Sequence, residues 1–264
     1  MTSAHVGALG SPRRYLHSLW LLSARDLKVR YATSWLGYLW SILDPLVMAL
    51  IYWFVFTQIF SRENVGGEPY IVFLIAGLLP WVWFNISVSD FTRAFKRDAK
   101  LVRSTAIPRS IWINRIVLSK GIEFLCSLPV LVAFAIILGA EVGWGILWFP
   151  VAIALQAVLL VGLGLIIAPL CVLYSDLERT TRLVLRAAFY ATPVIYGVGD
   201  VPGVFSQIIS LNPLAGIFTL YRAGFFPLTW DTTAVALSFV VTFGVLGLGI
   251  LVFRRLERPV LKEL

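Results

Sequence analysis

The sequence is poor in charged side chains. Asp, Glu, Lys and Arg make up 14% of its 264 residues, whereas hydrophobic residues make up 59%. A soluble domain would carry about twice that share of charge, and the mean hydropathy is +0.87. The composition therefore excludes an ordinary soluble domain and predicts an all-α integral membrane protein that has the bilayer as its solvent.

Side chains suited to acid–base catalysis are almost missing. The only histidines are His5 and His17, both ahead of the first long apolar run, and the few acidic residues within apolar runs are not paired. Membrane enzymes that transfer sugars or acyl groups need positioned carboxylates or histidines, and ion-coupled carriers bury ionisable groups near the middle of the membrane. The sequence therefore argues against an enzyme and against an ion-coupled carrier.

Groups that would hold a cofactor are missing as well. The chain has no G-x-x-x-x-G-K-[ST] phosphate loop, so any active transport must draw its energy from ATP and Mg bound by a separate subunit. Cys126 and Cys171 both lie in apolar runs, which favours small buried side chains over a disulfide or a metal site. We therefore expect no cofactor and no metal in this chain.

What the sequence does contain is a series of long apolar runs. A membrane-spanning helix takes about 20 such residues, and five runs reach that length: 36–60, 70–95, 111–140, 146–174 and 233–253. A shorter run at 183–196 would rise only about 21 Å as a helix. Hydropathy alone leaves this run open between a short span and an interfacial segment.

The positions of Lys and Arg decide the topology. Twenty of the 22 basic residues lie in four clusters, at 13–30, 93–120, 179–186 and 254–262. Basic residues favour the cytoplasmic side, and the last two clusters share that side only if the chain crosses twice between them. We therefore predict a sixth span at 183–196 and both termini on the cytoplasmic side of the plasma membrane. The net charge of +8 then reflects topology, and no nucleic-acid partner is expected.

Residues 12–33, ahead of the first span, have the pattern of an amphipathic helix at the membrane surface. The apolar stripe at 100° per residue consists of Leu16, Leu19, Trp20, Leu27 and Tyr31. The opposite face carries Arg14, His17, Arg25 and Lys28. The segment at 197–230 is harder to interpret, because it is apolar enough for a membrane while proline and glycine interrupt it.

Four stretches resemble the permease subunit of ABC-2 type polysaccharide exporters, and they occur in the family's order. They are GYLWSILDPL (37–46), AGLLPWVWF (76–84), AIPRSIW (106–112) and TPVIYGVGDVP with LNPLAGIFTLYR (192–222). The Trp-rich, Lys-poor composition is most similar to the actinobacterial members, in particular the mycobacterial exporters of galactan precursors.

The resemblance implies a homodimer of six-span permeases with two ABC ATPase subunits on the cytoplasmic side. Its substrate would be a polyprenyl-diphosphate-linked polysaccharide, such as a galactan, an O-antigen or a teichoic-acid-like chain. It also implies that 197–230 form two re-entrant helices that close the pathway from outside, with breaks at Pro202, Pro213 and Gly216. Two alternatives stay open: an ABC-2 exporter of small hydrophobic molecules, and an integral-membrane glycosyl or acyl transferase.

Aromatic residues within the first two spans are candidates for a substrate pathway. Sugar rings present flat C–H faces that stack weakly on aromatic walls, which would allow a glycan to slide. The candidates are Tyr52, Phe56 and Phe60, at i, i+4 and i+8, and Trp81, Phe84 and Phe91, near one face of the second span. The alternative is that these rings serve helix packing and lipid contact.

Two basic regions are candidates for contacts on the cytoplasmic side. The connection from Lys96 to Arg109, with Arg103 and the helix-breaking Pro108, would seat the ATPase together with the N-terminal helix; the alternative is a plain cytoplasmic loop. Arg25, Lys28 and Arg30 would hold the lipid diphosphate, because an arginine fork grips phosphate with two hydrogen bonds. Here the alternative is simple anchoring of the helix to anionic lipid.

Overall fold

The computed structural model of the chain describes residues 12–31, 37–59, 64–65, 68–105, 107–201 and 203–264. Almost all of them are helical, and the extended pairing in these ranges is a two-residue antiparallel ladder of Asn64–Val65 with Glu68–Pro69. The helices are α1 (Pro12–Tyr31), α2 (Trp40–Phe54), α3 (Tyr70–Phe91), α4 (Ala99–Ser104), α5 (Ile111–Ile137), α6 (Phe149–Leu173), α7 (Asp176–Ala191), α8 (Val204–Ser210), α9 (Pro213–Arg222) and α10 (Thr232–Glu263).

Five helical stretches are long and apolar enough to cross a membrane. They are Ile42–Ile59, Tyr70–Phe91, Ile111–Ile137, Trp144–Leu173 and Thr232–Glu263, and the number becomes six if α8 and α9, which meet at 85°, count as one broken span. Helices satisfy their own backbone hydrogen bonds, which hydrocarbon requires. The prediction of an all-α integral membrane protein is confirmed.

Helix ends differ from the apolar runs in the sequence. The helix α3 ends at Phe91 rather than at 95, because residues 92–98 form consecutive turns. The helix α5 ends at Ile137, two residues before Gly139, whose φ of 67° lies in the left-handed region that favours glycine. The helix α10 continues ten residues beyond 253, into a charged stretch. Hydropathy marks the apolar part of a helix, whereas caps and breaks decide its ends.

The short run predicted as a helix at 183–196 is displaced in the structure. The helix α7 starts earlier, at Asp176, with Asp176 and Glu178 in its first turn, and it ends at Ala191. Residues 192–196 are not helical. The residue before a proline is disfavoured in helical conformation, so Thr192–Pro193 ends the helix before the apolar run is complete.

The segment from α7 to Ile195 nevertheless runs the full length of α3. Glu178 pairs with Arg93 just beyond one end of α3, the ring of Phe189 lies 5.5 Å from that of Trp81, and the Tyr70 hydroxyl at the other end donates to the Ile195 carbonyl at 2.7 Å. The 22 residues of α3 extend about 33 Å, enough to cross a hydrocarbon core of about 30 Å.

The helix α1 packs along the first half of α5, and the predicted apolar stripe is divided between its packed and its exposed face. Leu27 of the stripe is buried, as is the polar Ser23, whereas Leu16 and Trp20 are 61% and 57% exposed. The Ser23 hydroxyl donates to the Arg115 carbonyl, at 3.3 Å. Polar pairing with α5 therefore contributes to the packed face, and the position of this helix at the membrane surface stays a prediction.

The core is built around α3, of which 83% is buried. It contacts α2, α5, α6, α7 and α9. Beside it, α6 and α10 pack with their backbones close together, because a Cβ atom at Gly162 would lie 2.8 Å from the Leu246 nitrogen and one at Gly249 would lie 2.5 Å from the Gly162 carbonyl oxygen. Small residues of this kind allow membrane helices to approach closely.

The topology can be tested with single cysteines. Cys126 is exposed and should first be replaced by alanine, whereas Cys171 is buried. In this background we expect Ser206→Cys to react with a membrane-impermeant maleimide on intact cells, because α8 lies on the outer side in the positive-inside arrangement. Ser104→Cys should react only after the membrane is opened. Labelling of Ser104→Cys alone in intact cells would contradict this topology.

Candidate functional site

An aromatic band joins α2, α3 and α7. The ring of Tyr52 stacks on that of Phe189 with 6.0 Å between centroids, and Trp81 lies 5.5 Å from Phe189 and 5.6 Å from Phe84. Toward the start of α3, Phe56 lies 5.5 Å from Tyr70. The structure therefore brings three of the predicted residues, Tyr52, Trp81 and Phe84, together through Phe189, which was not predicted. The fourth, Phe56, contacts Tyr70 instead.

A cavity of about 400 Å³ opens beside this band, between α3 and α7. Its aromatic wall consists of Trp81, Phe189 and Tyr190. Hydrogen-bonding groups complete the lining, namely Asn85 and Ser89 from α3 and Arg182 and Arg186 from α7. Ring faces combined with amide, hydroxyl and guanidinium groups suit a polar ring-shaped ligand such as a sugar.

Two of the predicted pathway residues do not join this group. Phe91 is fully buried and faces Gly164 of α6, so it belongs to the packing between helices. Phe60 lies outside the described residues. The sequence analysis missed the α7 side of the cavity, although Arg182, Arg186, Phe189 and Tyr190 follow a helical spacing that could have indicated it.

The segment predicted to be re-entrant contains two helices bent by 85° at Leu211–Asn212. The Asn212 side chain accepts a hydrogen bond from the Leu214 amide at 3.0 Å and donates one to the Thr192 hydroxyl at 2.8 Å. Pro213 occupies the first position of α9, where its missing N–H costs nothing. Local chemistry thus explains the break.

The helix α9 is almost completely buried and packs against the start of α10. The Pro213 carbonyl accepts a hydrogen bond from the Ser238 hydroxyl at 2.7 Å. A Cβ atom at Gly216 would lie 2.2 Å from the Ala234 carbonyl oxygen, so this position admits only glycine. Pro202, the third predicted gate residue, lies outside the described residues, and the gating role of all three stays a prediction.

Arg222, at the end of α9, is buried and is one of the two basic residues outside the four clusters in the sequence. Its side chain is 3% exposed. It donates to the carbonyls of Pro193 at 2.7 Å, Val194 at 2.5 Å and Phe73 at 3.3 Å, and its guanidinium carbon lies 3.6 Å from the centre of the Phe73 ring.

These contacts tie α9 to α3 and to the non-helical segment after α7. Gly77 leaves room for the guanidinium, because a Cβ atom there would lie 2.3 Å from Arg222 Nη2. An arginine within an apolar segment needs partners, which is the signal that could have identified it.

At the end of the bundle that the charge distribution predicts to be cytoplasmic, Asp98 joins the basic connection to two helices. Arg25 of α1 donates to both carboxylate oxygens at 3.2 Å, and Arg115 of α5 donates at 2.5 Å. Burial favours a higher pKa for Asp98, but the hydrogen bonds and charges of Arg115 and Arg25 outweigh it and lower that pKa below its ordinary value.

The predicted coupling residues lie along the same connection as Asp98. Lys96 and Arg103 are exposed, Arg103 on the short helix α4, whereas Arg109 is half-buried and donates to the Ile107 carbonyl at 3.4 Å. Pro108 lies in the non-helical stretch before α5. They share one connection, and their contact with an ATPase stays a prediction.

The three residues predicted to hold a lipid diphosphate do not converge on one point. Arg25 is engaged by Asp98, Arg30 lies 3.4 Å from Glu123 of α5, and Lys28 is exposed. Within the part of the chain that the structure describes, no three His, Cys, Asp or Glu residues are grouped to hold a metal ion.

Comparison with known proteins gives a consistent result. A family model described as ABC-2 type transporter matches residues 17–226. The chain is 34% identical to an O-antigen export system permease protein RfbA of Klebsiella pneumoniae, over 90% of this chain and 91% of the relative. It is 31% identical to an O-antigen export system permease protein RfbA of Myxococcus xanthus, over 78% of each. It is 22% identical to the polysialic acid transport protein KpsM of Escherichia coli, over 91% and 93%.

Removing the Arg222 side chain should loosen the outer half of the protein. Arg222→Met would leave buried carbonyls without their donor, and we expect a loss of about 2–4 kcal/mol of stability, from hydrogen bonds to a charged group. The measurement is the thermal midpoint of the purified protein, with Arg254→Met, an exposed position on α10, as the control. Equal midpoints for both variants would show that the carbonyl contacts of Arg222 contribute little.

Proposed function

The chain belongs to the ABC-2 type transporter family, and from this premise we propose that it is the permease subunit of an ATP-driven exporter of polyprenyl-diphosphate-linked polysaccharide. It is a multi-pass permease of the plasma (inner) membrane. The O-antigen and polysialic acid transport functions that the names of its relatives state support a polysaccharide as the substrate. The sugar itself, galactan or another, stays a prediction from the actinobacterial resemblance.

The observation that carries the proposal is the cavity between α3 and α7. Its aromatic rings offer stacking surfaces for sugar rings, and Asn85, Ser89 and the two arginines offer hydrogen bonds to hydroxyl groups. Each such contact is weak, so a chain of many sugars is held without being trapped. The same polar side chains count against an exporter of small hydrophobic molecules, and the scarcity of histidine and paired acids counts against a transferase.

We also propose that the working unit is a homodimer. Tyr190, on the aromatic wall of the cavity, is 70% exposed. Only 11% of the apolar stretch Ile42–Ile59, which includes most of α2, is buried. One copy therefore offers a single wall of a conduit beside an uncovered apolar helix. A second copy would supply the opposite wall and cover part of that helix, with lipid covering the remainder.

Energy would come from two copies of a separate ATPase. The sequence has no phosphate loop of its own. The basic connection, α1 and α5 meet at Asp98, so a subunit that moves the connection would move both helices with it. This arrangement supports the connection and α1 as the ATPase-docking surface.

The glycan pathway is tested at Tyr190. In cells that lack the native gene, Tyr190→Ala should lower polysaccharide export about fivefold, because losing one stacking contact costs about 1 kcal/mol. Tyr190→Trp should preserve export, since it keeps a ring. Trp144→Ala, at an aromatic residue that is 89% exposed elsewhere, is the control. Export equal to wild type in Tyr190→Ala would refute a role for the cavity.

The docking surface is tested by charge reversal. Arg103→Glu combined with Arg109→Glu should abolish co-purification with the ATPase or uncouple its hydrolysis from transport, because the docking surface would change sign. The control is Arg258→Glu combined with Lys262→Glu, which makes the same charge change on exposed positions of α10. If both double variants retain the complex and its transport activity, the connection is not the docking surface.

A further inference from the structure

Two adjoining cavities lie where α1, α3 and α5 meet on the cytoplasmic side. The larger one has a volume of about 700 Å³ and is lined by six basic and three acidic side chains. The basic residues are Arg30, Arg93, Lys96, Arg97, Arg115 and Lys120. The lining therefore has a net positive charge before any ligand is considered.

The three acids already have partners within the protein. Glu178 accepts hydrogen bonds from Arg93 at 2.8 Å and from Arg182 at 2.9 Å, and Asp26 lies 3.5 Å from Arg115. Asp90 lies 3.8 Å from Lys120. Lys96 and Arg97 are exposed on the same cavity, so the excess charge is accessible to a ligand.

Arg115 gives the most direct indication of an anionic ligand. Its side chain is 2% exposed, and one of its terminal nitrogens donates to Asp98. The other, Nη1, is buried and has no hydrogen-bond partner among the described residues. A buried guanidinium N–H without an acceptor is costly, and an anion in the cavity that this residue lines would supply one.

The smaller cavity, of about 240 Å³, continues from the larger one and has a different character. The two share Arg30 and Lys120 as lining residues. Beyond these two residues its lining includes the carboxylates of Asp44 and Glu123, and Glu123 lies 3.0 Å from Lys120 and 3.4 Å from Arg30. The rest of the wall is mainly apolar, formed by Pro45 of α2, Leu79, Val82, Trp83 and Ile86 of α3, and Phe124 of α5. The basic chamber thus opens past one ion-pair cluster into a chamber with an apolar wall.

We infer that the two cavities form one binding site for a lipid with a phosphate or diphosphate head. The head lies in the basic chamber within reach of Arg115 and Lys120, and the first part of the hydrocarbon chain lies in the apolar chamber. Phosphate is favoured over a single carboxylate because several cations converge, and arginine binds phosphate oxygens bidentately.

The same chemistry has two possible sources, a polyprenyl diphosphate and an acidic phospholipid. For the first source the inference rests on the proposed function, whereas the second is independent of it. Of the three head-group residues predicted from the sequence, only Arg30 lines these cavities. The site therefore extends from α1 to α3 and α5.

The test uses the full-length protein in nanodiscs of phosphatidylcholine. Undecaprenyl diphosphate, phosphatidylglycerol and inorganic diphosphate are titrated separately, and bound copies are counted by native mass spectrometry. Lys120→Gln, and Lys96→Gln combined with Arg97→Gln, should each weaken lipid binding about tenfold, since each loses charge-assisted hydrogen bonds. The exposed pair Arg14→Gln and Lys100→Gln and the single variant Lys28→Gln should stay within about twofold of wild type.

A further variant separates the head from the chain. Val82→Trp fills the apolar chamber, so it should weaken both lipids while leaving inorganic diphosphate unchanged. Each variant is compared with wild type in thermal midpoint, so that loss of folding is recognised. Lys96→Gln with Arg97→Gln, both at exposed positions, provides the test if Lys120→Gln does not fold.

The outcomes distinguish the two lipid sources from each other and from non-specific attraction. Tighter binding of undecaprenyl diphosphate supports the site for the exported lipid, and equal binding of phosphatidylglycerol supports it for an acidic membrane lipid. Equal losses in the cavity variants and in Arg14→Gln with Lys100→Gln would show non-specific attraction and overturn the inference, as would lipid binding unaffected by Val82→Trp. Because no ATPase or glycan is present, failed export with intact lipid binding would count against the proposed function alone.

Discussion

The carbonyl groups of Pro193 and Val194 are the point on which the end of the bundle around α9 depends. A chain that leaves its helix at membrane depth exposes backbone acceptors that hydrocarbon cannot satisfy. Arg222 supplies donors to both and rests on the Phe73 ring. The end of α7, the start of α3 and the last turn of α9 are held together by this one side chain, so the apolar segment broken by prolines has a defined place.

At the opposite end of the bundle, charged side chains hold the helices together. Asp98 binds Arg25 and Arg115, and Glu178 binds Arg93 and Arg182. These pairs connect α1, the basic connection, α5 and the start of α7 at the same end of the bundle. The arrangement leaves more cations than acids around the larger cavity. Charged pairs therefore connect these elements and leave surplus positive charge around the larger cavity, which the proposed docking and anion binding require.

Between these ends, the helix α3 lines two cavities of different character. The face of α3 toward α7 carries Trp81, Asn85 and Ser89, whereas the face toward α5 carries Trp83 and Ile86. The first face lines a cavity with polar and aromatic groups. The second forms the apolar wall of a cavity that also contains Arg30, Lys120, Asp44 and Glu123. A glycan is polar, whereas its lipid carrier is apolar. In the proposed function, one face of α3 therefore contacts the glycan and another face contacts the lipid.

The number and nature of the long helices followed from the sequence alone, because hydrocarbon imposes length and apolarity on every spanning segment. The distribution of basic residues predicted a sixth span at 183–196, since charge asymmetry is a property of connections rather than of packing. That span stays a prediction, and the structure has the helix α7 at Asp176–Ala191. Tertiary structure decided what depends on partners distant in the chain: the buried face of α1 around Ser23 and the inward position of Phe91. It also decided the role of Arg222. The residue type shows that a donor is present, but only the fold determines which carbonyl groups need it.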